Sequence, residues 1–299
     1  MNRRSILALG ATATVLPLHA QTAAPKPRPH RAVQIVARDG TRLFHRDWGD
    51  GAPMVFMSGW ALSSEAWAYQ GAELSDQGVR CIAYDRRGHG RSDDPGRGYD
   101  IDTLADDLDS VLTALDLTGV TIVAHSMASG EITRYLTRHG QARIARVVYL
   151  APTTPFLTRT ADNPQGAPTA YFEQTRQAWK TDFPKWLDDN TDPFVTPQTS
   201  AGMKDWIKSV MLTCSMQAVL ACNRAMVSTD FRKELTWIAV PCLVIQGDKD
   251  MSAPLALTGR RTAELIPGAK LVVYEGAPHG LFITHMDRLN ADLLACAKA

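Results

Sequence analysis

Ser126 stands where an apolar run ends and a helical pattern begins, and that junction restricts the fold more than any other stretch. Thr121, Ile122, Val123 and Ala124 read as a short buried strand, and Ser129 to His139 reads as a helix. A strand turning sharply into a helix forces its apex residue into a strained conformation, and only small neighbours keep the two arms apart. Ala124 and Ala128 supply those neighbours, two residues before and after the serine. The turn holds the hydroxyl clear of its surroundings, with a helix N-terminus beneath it. Taken alone, the segment also fits a plain serine N-cap.

The rest of the chain supplies the sheet. Met54–Met57, Cys81–Tyr84, Val147–Leu150, Leu243–Gln246 and Leu271–Tyr274 are further short apolar runs. Helical patterns near Ser64–Gln77, Thr103–Leu115, Met127–Arg138, Leu255–Leu265 and Leu281–Ala297 separate or follow them. That alternation means parallel strands joined by crossover helices. Ala32–Ala37 and Leu43–Trp48 form a hairpin turning at Asp39-Gly40, which brings the expected sheet to eight strands, mostly parallel, with helices on both faces. Between Ala151-Pro152 and Val240-Pro241 the alternation stops. Helical segments rich in aromatic residues, among them Trp179, Phe183, Trp186 and Trp206, fill that stretch. An insertion there falls over the strand ends, so it reads as a helical cap. Its aromatic residues serve the cap's own core and a pocket wall, with Trp179 and Trp186 as wall candidates. The expected organisation is core 32–151, cap 152–239 and core 240–299.

Two loops then bear on the serine. Pro241 to Asp250 is an apolar strand running into a turn that presents two carboxylates, Asp248 and Asp250. Leu271 to Gly280 is a strand followed by a loop that presents His279. A hydroxyl is a poor nucleophile at neutral pH. It needs a histidine to take its proton and a carboxylate to fix and stabilise the imidazole. All three groups lie at the C-terminal ends of expected parallel strands, where open α/β sheets place their sites. His125 and His89 read as structural residues, the first pointing away from Ser126 and the second ordering its turn.

Composition removes other classes of function. At 299 residues, 45% apolar and net charge +1, the chain can bury a large core and has no basic stripe for nucleic acid. Asp85-Arg86-Arg87 and the cluster Asp106, Asp107 and Asp109 read as loop and helix-face charges. No Cys/His spacing suggests a metal site. The five cysteines read as core residues or incidental thiols. Cys214 and Cys222 lie on one helical segment about 12 Å apart, too far for a disulfide if that helix is continuous.

The N-terminus carries an address. Arg3 and Arg4, a mildly apolar stretch to Leu16 and a small residue at Ala20 form the pattern of an export signal over residues 1–20. The apolar stretch is too short for a stable membrane anchor. Paired arginines before it resemble a twin-arginine signal and imply a periplasmic or secreted protein; a Sec signal or a retained anchor is the alternative. Residues 21–31, with Pro25-Lys-Pro-Arg-Pro29, read as an extended spacer.

Five collinear motifs carry a family resemblance: Phe56-Met-Ser-Gly-Trp60, Tyr84-Asp-Arg-Arg-Gly-His-Gly-Arg-Ser92, Ala124-His-Ser126-Met, Gly247-Asp-Lys-Asp250 and Ala277-Pro-His279-Gly. Together with Asp47-Trp48-Gly49, Pro164-Gln-Gly166 and Thr229-Asp-Phe231, they resemble the bacterial arylesterase and cofactor-free haloperoxidase (perhydrolase) group of α/β-hydrolases. The order Ser, Asp, His is that of this fold. The resemblance implies a triad of Ser126, Asp250 and His279, with Asp250 rather than Asp248 as its acid. It implies an oxyanion hole made by the backbone N–H groups of Met127 and Trp60, with Trp60 also walling the acyl pocket. Ser58 stands where the group commonly has histidine. The implied reaction is hydrolysis of small carboxylic esters through an acyl-enzyme, with no metal or organic cofactor. A perhydrolase, lactonase or amidase would use the same residues, and a catalytically silent ligand-binding protein is the alternative of another class.

Overall fold

The computed structural model describes residues 34–298. The expected export segment (1–20) and spacer (21–31) lie outside them. Nine strands are present among the described residues: β1 (Ile35–Val36), β2 (Arg42–Leu43), β3 (His45–Trp48), β4 (Ala52–Met57), β5 (Val79–Tyr84), β6 (Val120–His125), β7 (Ile144–Leu150), β8 (Cys242–Gly247) and β9 (Lys270–Tyr274). The main sheet runs β3-β5-β4-β6-β7-β8-β9, with β3 antiparallel and every other pairing parallel. It has seven strands, one fewer than expected. Phe44 breaks the second expected strand, its N–H bonded to Ser92 Oγ and its carbonyl accepting from Asp85. Residues before the break pair only within a small hairpin, β1 with β2, turning at Gly40. Residues after it join the sheet as β3.

The strands of the centre are apolar on both faces because helices cover both. Met54, Val55, Phe56, Ile122, Val123, Val147 and Ile245 are all buried. The covering helices are α1 (Ala68–Asp76), α2 (Ile101–Ala114), α3 (Ala128–Arg138) and, after the cap, α8 (Gly259–Leu265), α9 (Leu281–Thr284) and α10 (Met286–Lys298). Helix α2 starts at Ile101, two residues before the expected start at Thr103, where Asp100 accepts a hydrogen bond from the Thr103 N–H as its N-cap.

Between β7 and β8 lie α4 (Thr169–Phe194), α5 (Ala201–Met211), α6 (Met216–Ser228) and α7 (Arg232–Leu235). Helix α4 is two helices joined at Asp182, whose backbone is extended (φ −159°). The Asp182 carboxylate accepts from the Lys185 N–H and so caps the second half, and Pro184 sits in that half's first turn, where its missing N–H costs nothing. Helices α5 and α6 meet at 88°, which corrects the expectation of one helix carrying Cys214 and Cys222. Cys214 lies in the turn between them, because Ser215 caps α6 afresh while its own N–H bonds to Gly88. All five cysteines are free thiols.

Candidate active site

Four loops converge because of the order in which strands were added to the sheet. The chain lays β5 on one side of β4 and then β6 on the other, so the loops after β4 and β6 diverge and leave a crevice. In-register pairs Met57/Ala124, His125/Leu150, Leu150/Ile245 and Gly247/Tyr274 bring the strand ends to one edge. Ser58–Trp60, Ser126, Asp250 and His279 all follow those ends. Ser126 adopts φ +55°, a left-handed conformation that costs a non-glycine residue about 1–3 kcal/mol. Its amide is tied to the Leu150 carbonyl at 2.9 Å, and Ser129 Oγ donates to its carbonyl at 2.6 Å. The surroundings hold the strain in place.

The three expected residues are hydrogen-bonded in a chain. Ser126 Oγ lies 2.9 Å from His279 Nε2, and His279 Nδ1 lies 2.8 Å from Asp250 Oδ2. An acidic partner on Nδ1 fixes the proton there and leaves Nε2 free to accept from the serine. A buried carboxylate needs donors, and Asp250 has two besides the histidine. The Ala253 N–H reaches Oδ1 at 2.7 Å, and Gln246 Nε2 reaches Oδ2 at 3.1 Å. Gln246 is itself fixed by Thr258 and by the Gly259 N–H, which donates to its Oε1. Asp248 is elsewhere: it is exposed, and it accepts from the Gly276 N–H, ordering the turn after β9.

Two backbone N–H groups flank the serine without a partner among the described residues, those of Met127 and Trp60. The Trp60 group is aimed from behind. Arg86 Nη2 donates to the Ser58 carbonyl at 2.7 Å and Nη1 to the Gly59 carbonyl at 3.3 Å. In a planar trans peptide the N–H points opposite to the carbonyl, so holding the Gly59 oxygen directs the Trp60 hydrogen the other way. Arg86 is anchored by Glu131, which is on α3 and wholly buried, with Nη2 to Oε1 at 2.5 Å. One ion pair thus joins the helix bearing Met127 to the loop bearing Trp60. A side chain at Gly59 would meet His125 Nδ1 at 2.6 Å and Ser126 Cβ at 3.1 Å, so the close approach requires glycine. Ser58 supplies its own support where histidine is usual, donating to the Ser63 carbonyl and accepting from Trp67 Nε1.

Several of the charges read as loop and helix-face residues are buried. Asp85, Arg86, Arg87 and Asp107 are each at most 4% exposed. Asp85 accepts from the Ser64 and Arg91 N–H groups, and Arg87 forks onto Asp107 and Asp39. His89 donates from Nδ1 to the Arg87 carbonyl, and burial together with the Arg86 charge pushes its pKa down to about 3. It orders its turn, as expected. His125 is also structural. Its Nε2 donates to the His279 carbonyl at 3.2 Å, and burial, then the neighbouring His279, holds it well below the ordinary histidine range.

Above the serine lies a cavity of about 230 Å³ lined by both core and cap. Trp60, Trp179 and Trp186 are all in its wall, packed on one another with ring centroids 4.3–5.9 Å apart. Trp60 Nε1 donates to the Val219 carbonyl of α6, tying the loop to the cap. Phe194 closes the other end: its carbonyl accepts from the Gly280 N–H at 2.7 Å and its ring meets that of His279. Sequence reasoning missed Arg86 and Gln246. The only signals were the arginine pair in the Tyr84–Ser92 motif and a polar residue inside the apolar pattern of β8. Among the described residues, no group of three or more His, Cys, Asp or Glu side chains is placed to hold a metal ion.

Comparison with known proteins agrees with this architecture. The model of the alpha/beta hydrolase family matches residues 54–292. A non-heme chloroperoxidase of Kitasatospora aureofaciens is 39% identical over 264 residues, covering 86% of this chain and 96% of that protein. A bifunctional esterase/perhydrolase of Acinetobacter calcoaceticus is 33% identical, covering 89% and 99%. The crystal structure of a bromoperoxidase from Bacillus anthracis superposes with a TM-score of 0.84 at 36% identity, covering 87% and 96%. With the sheet order, the serine turn and these matches in agreement, the chain belongs to the alpha/beta hydrolase family.

Proposed function

We propose that the protein hydrolyses small carboxylic esters through an acyl-enzyme, with Ser126 as nucleophile, His279 as base and Asp250 as its orienter. The observation that carries this reading is the continuous hydrogen-bond chain from Ser126 Oγ to Asp250 beneath two unpartnered backbone N–H groups. The serine oxygen attacks the ester carbonyl while its proton passes to His279 Nε2. The Met127 and Trp60 N–H groups receive the developing oxyanion, each worth on the order of 3 kcal/mol in the transition state. His279 then protonates the leaving alcohol. A water that gives its proton to the same nitrogen hydrolyses the acyl-serine. Trp60, Trp179 and Trp186 bound the acyl group, and the Arg3-Arg4 segment supports action outside the cytoplasm.

Perhydrolysis is the second reading, and the chloroperoxidase and esterase/perhydrolase relatives favour it about as much. Hydrogen peroxide replaces water in the second step, the acyl group leaves as a peracid, and the peracid oxidises halide. The residues and the first step are the same. The test is to measure acid release and peracid formation side by side at fixed ester and peroxide, with Ser126→Ala as the blank. Hydrolysis is expected to exceed peracid formation. Peracid forming faster would make the second reading the better one, and turnover surviving in Ser126→Ala would end both.

A further inference from the structure

The polar groups of the cavity wall are not equivalent. Thr175, Thr191 and Thr153 each return their hydroxyl hydrogen to a backbone carbonyl, of Tyr171, Leu187 and Ser126 respectively. Asn190 Nδ2 does the same with the Trp186 carbonyl. Trp179 Nε1 has no partner, but it is sealed among the surrounding rings with no accessible surface. His125 Nδ1 is likewise unpartnered and sealed, Tyr171 and Ser252 are exposed residues, and Asn223, on α6, differs from all of these. It lines the cavity, is 6% exposed, and its Nδ2 has no acceptor among the described residues.

Its orientation is fixed. Arg176 Nη1 on α4 lies 2.8 Å from Asn223 Oδ1. A guanidinium can only donate, so the amide oxygen must face Arg176 and the NH2 must face away from it. Arg176 has no carboxylate within ion-pair distance among the described residues, and Glu173 acts on it only at longer range. The arginine itself is not part of the cavity wall, and what the cavity receives is a neutral donor. The wall is largely apolar, and a donor that no protein group satisfies there is the kind of group that sets orientation and specificity in a binding site.

We infer that Asn223, held by Arg176, is a specificity subsite that selects esters carrying a second neutral oxygen acceptor, such as an ether, hydroxyl or carbonyl oxygen, in the acyl or alcohol part. This inference rests on the ester-hydrolase reading. A site built to donate a hydrogen bond discriminates against an isostere that cannot accept it.

Two pairs of isosteric esters test it. The acyl pair is 4-nitrophenyl methoxyacetate against 4-nitrophenyl butanoate, and the alcohol pair is 2-methoxyethyl acetate against butyl acetate. The quantity read is the ratio of kcat/KM within a pair, compared between wild type and variants, so the inductive effect of the extra oxygen cancels. Asn223→Leu and Asn223→Asp should each lower the oxygenated-to-carbon ratio about tenfold in at least one pair. Arg176→Leu, which frees the amide to flip, should lower it in the same pair by a smaller factor. Asn223→Asp retains the side chain's size, so a folding defect of the leucine variant does not remove the test. Both pairs keeping their wild-type ratios in both Asn223 variants would overturn the inference. Ser126→Ala separates the two readings. Turnover surviving there would end the acyl-enzyme reading, whereas unchanged ratios with turnover lost in Ser126→Ala would end this inference alone.

Discussion

The floor and the roof of the cavity are built by different physics. On the core side, Asp250 and Arg86 are each held by directional bonds from more than one element. Asp250 takes donors from His279, Ala253 and Gln246, and Arg86 links Glu131 on α3 to the carbonyls of Ser58 and Gly59. On the cap side the contacts are mainly ring on ring, among Trp60, Trp179, Phe183 and Trp186, with Arg176–Asn223 as a polar exception. Hydrogen bonds weaken steeply with angle, whereas aromatic packing tolerates many arrangements at similar energy. The floor is therefore suited to fixing a transition state, and the roof to choosing what reaches it. Changes in the floor should act on kcat and changes in the roof on selectivity.

The largest effect should come from Asp250, the acid of the proposed triad. Asp250→Asn removes the carboxylate that sets the His279 tautomer and should lower kcat about a thousandfold or more. Asp248→Asn, whose amide oxygen can still accept from the Gly276 N–H, should stay within a few-fold. Kinetics on equally folded proteins rank the two, and the reverse ranking would move the acid to Asp248.

Arg86→Met comes next. It releases the peptide that aims the Trp60 N–H and should lower kcat on the order of a hundredfold with little change in KM. It also leaves Glu131 as a buried unpaired charge, costing about 3–5 kcal/mol of stability. Pairing it with Glu131→Leu should recover the melting temperature and not the turnover. Recovery of both would mean that Arg86 serves only stability.

A subtler change tests how finely the floor is set. Ala61 adopts φ +60°, and proline is confined near −65°. Ala61→Pro must therefore turn the Trp60 carbonyl to a new direction. A carbonyl turned toward the acyl-serine accepts a hydrogen bond from peroxide, so the ratio of peracid formation to hydrolysis should rise several-fold. An unchanged or lower ratio in the folded variant would show that this carbonyl does not rank the two nucleophiles.

The smallest effect belongs to the roof. Trp186→Phe retains an aromatic ring against Trp179 and Phe183 while removing volume from the cavity wall. The preferred acyl chain should lengthen, with KM for longer esters falling by about two- to fivefold and kcat barely moving. A large loss of kcat here would break the division between floor and roof.

The sequence by itself determined the parts of this protein that local physics writes into short segments. The strand-to-helix turn at Ser126, the parallel strands, the cap interval and the loops bearing Asp250 and His279 were all legible, because each depends on apolar periodicity and on small residues at fixed spacing. The aromatic cap residues were legible as wall candidates for the same reason. Tertiary structure alone decided the rest. Whether Arg86 and Arg87 face water or a buried carboxylate depends on Glu131 and Asp107, which lie 45 and 20 residues away. The break at Phe44 that removed a strand from the sheet came from Ser92, 48 residues on. Asn223 looks like any polar residue on a helix until Arg176 fixes its amide. Hydrogen-bond partners far apart in the chain leave no period in the sequence, and only the folded chain brings them within reach of one another.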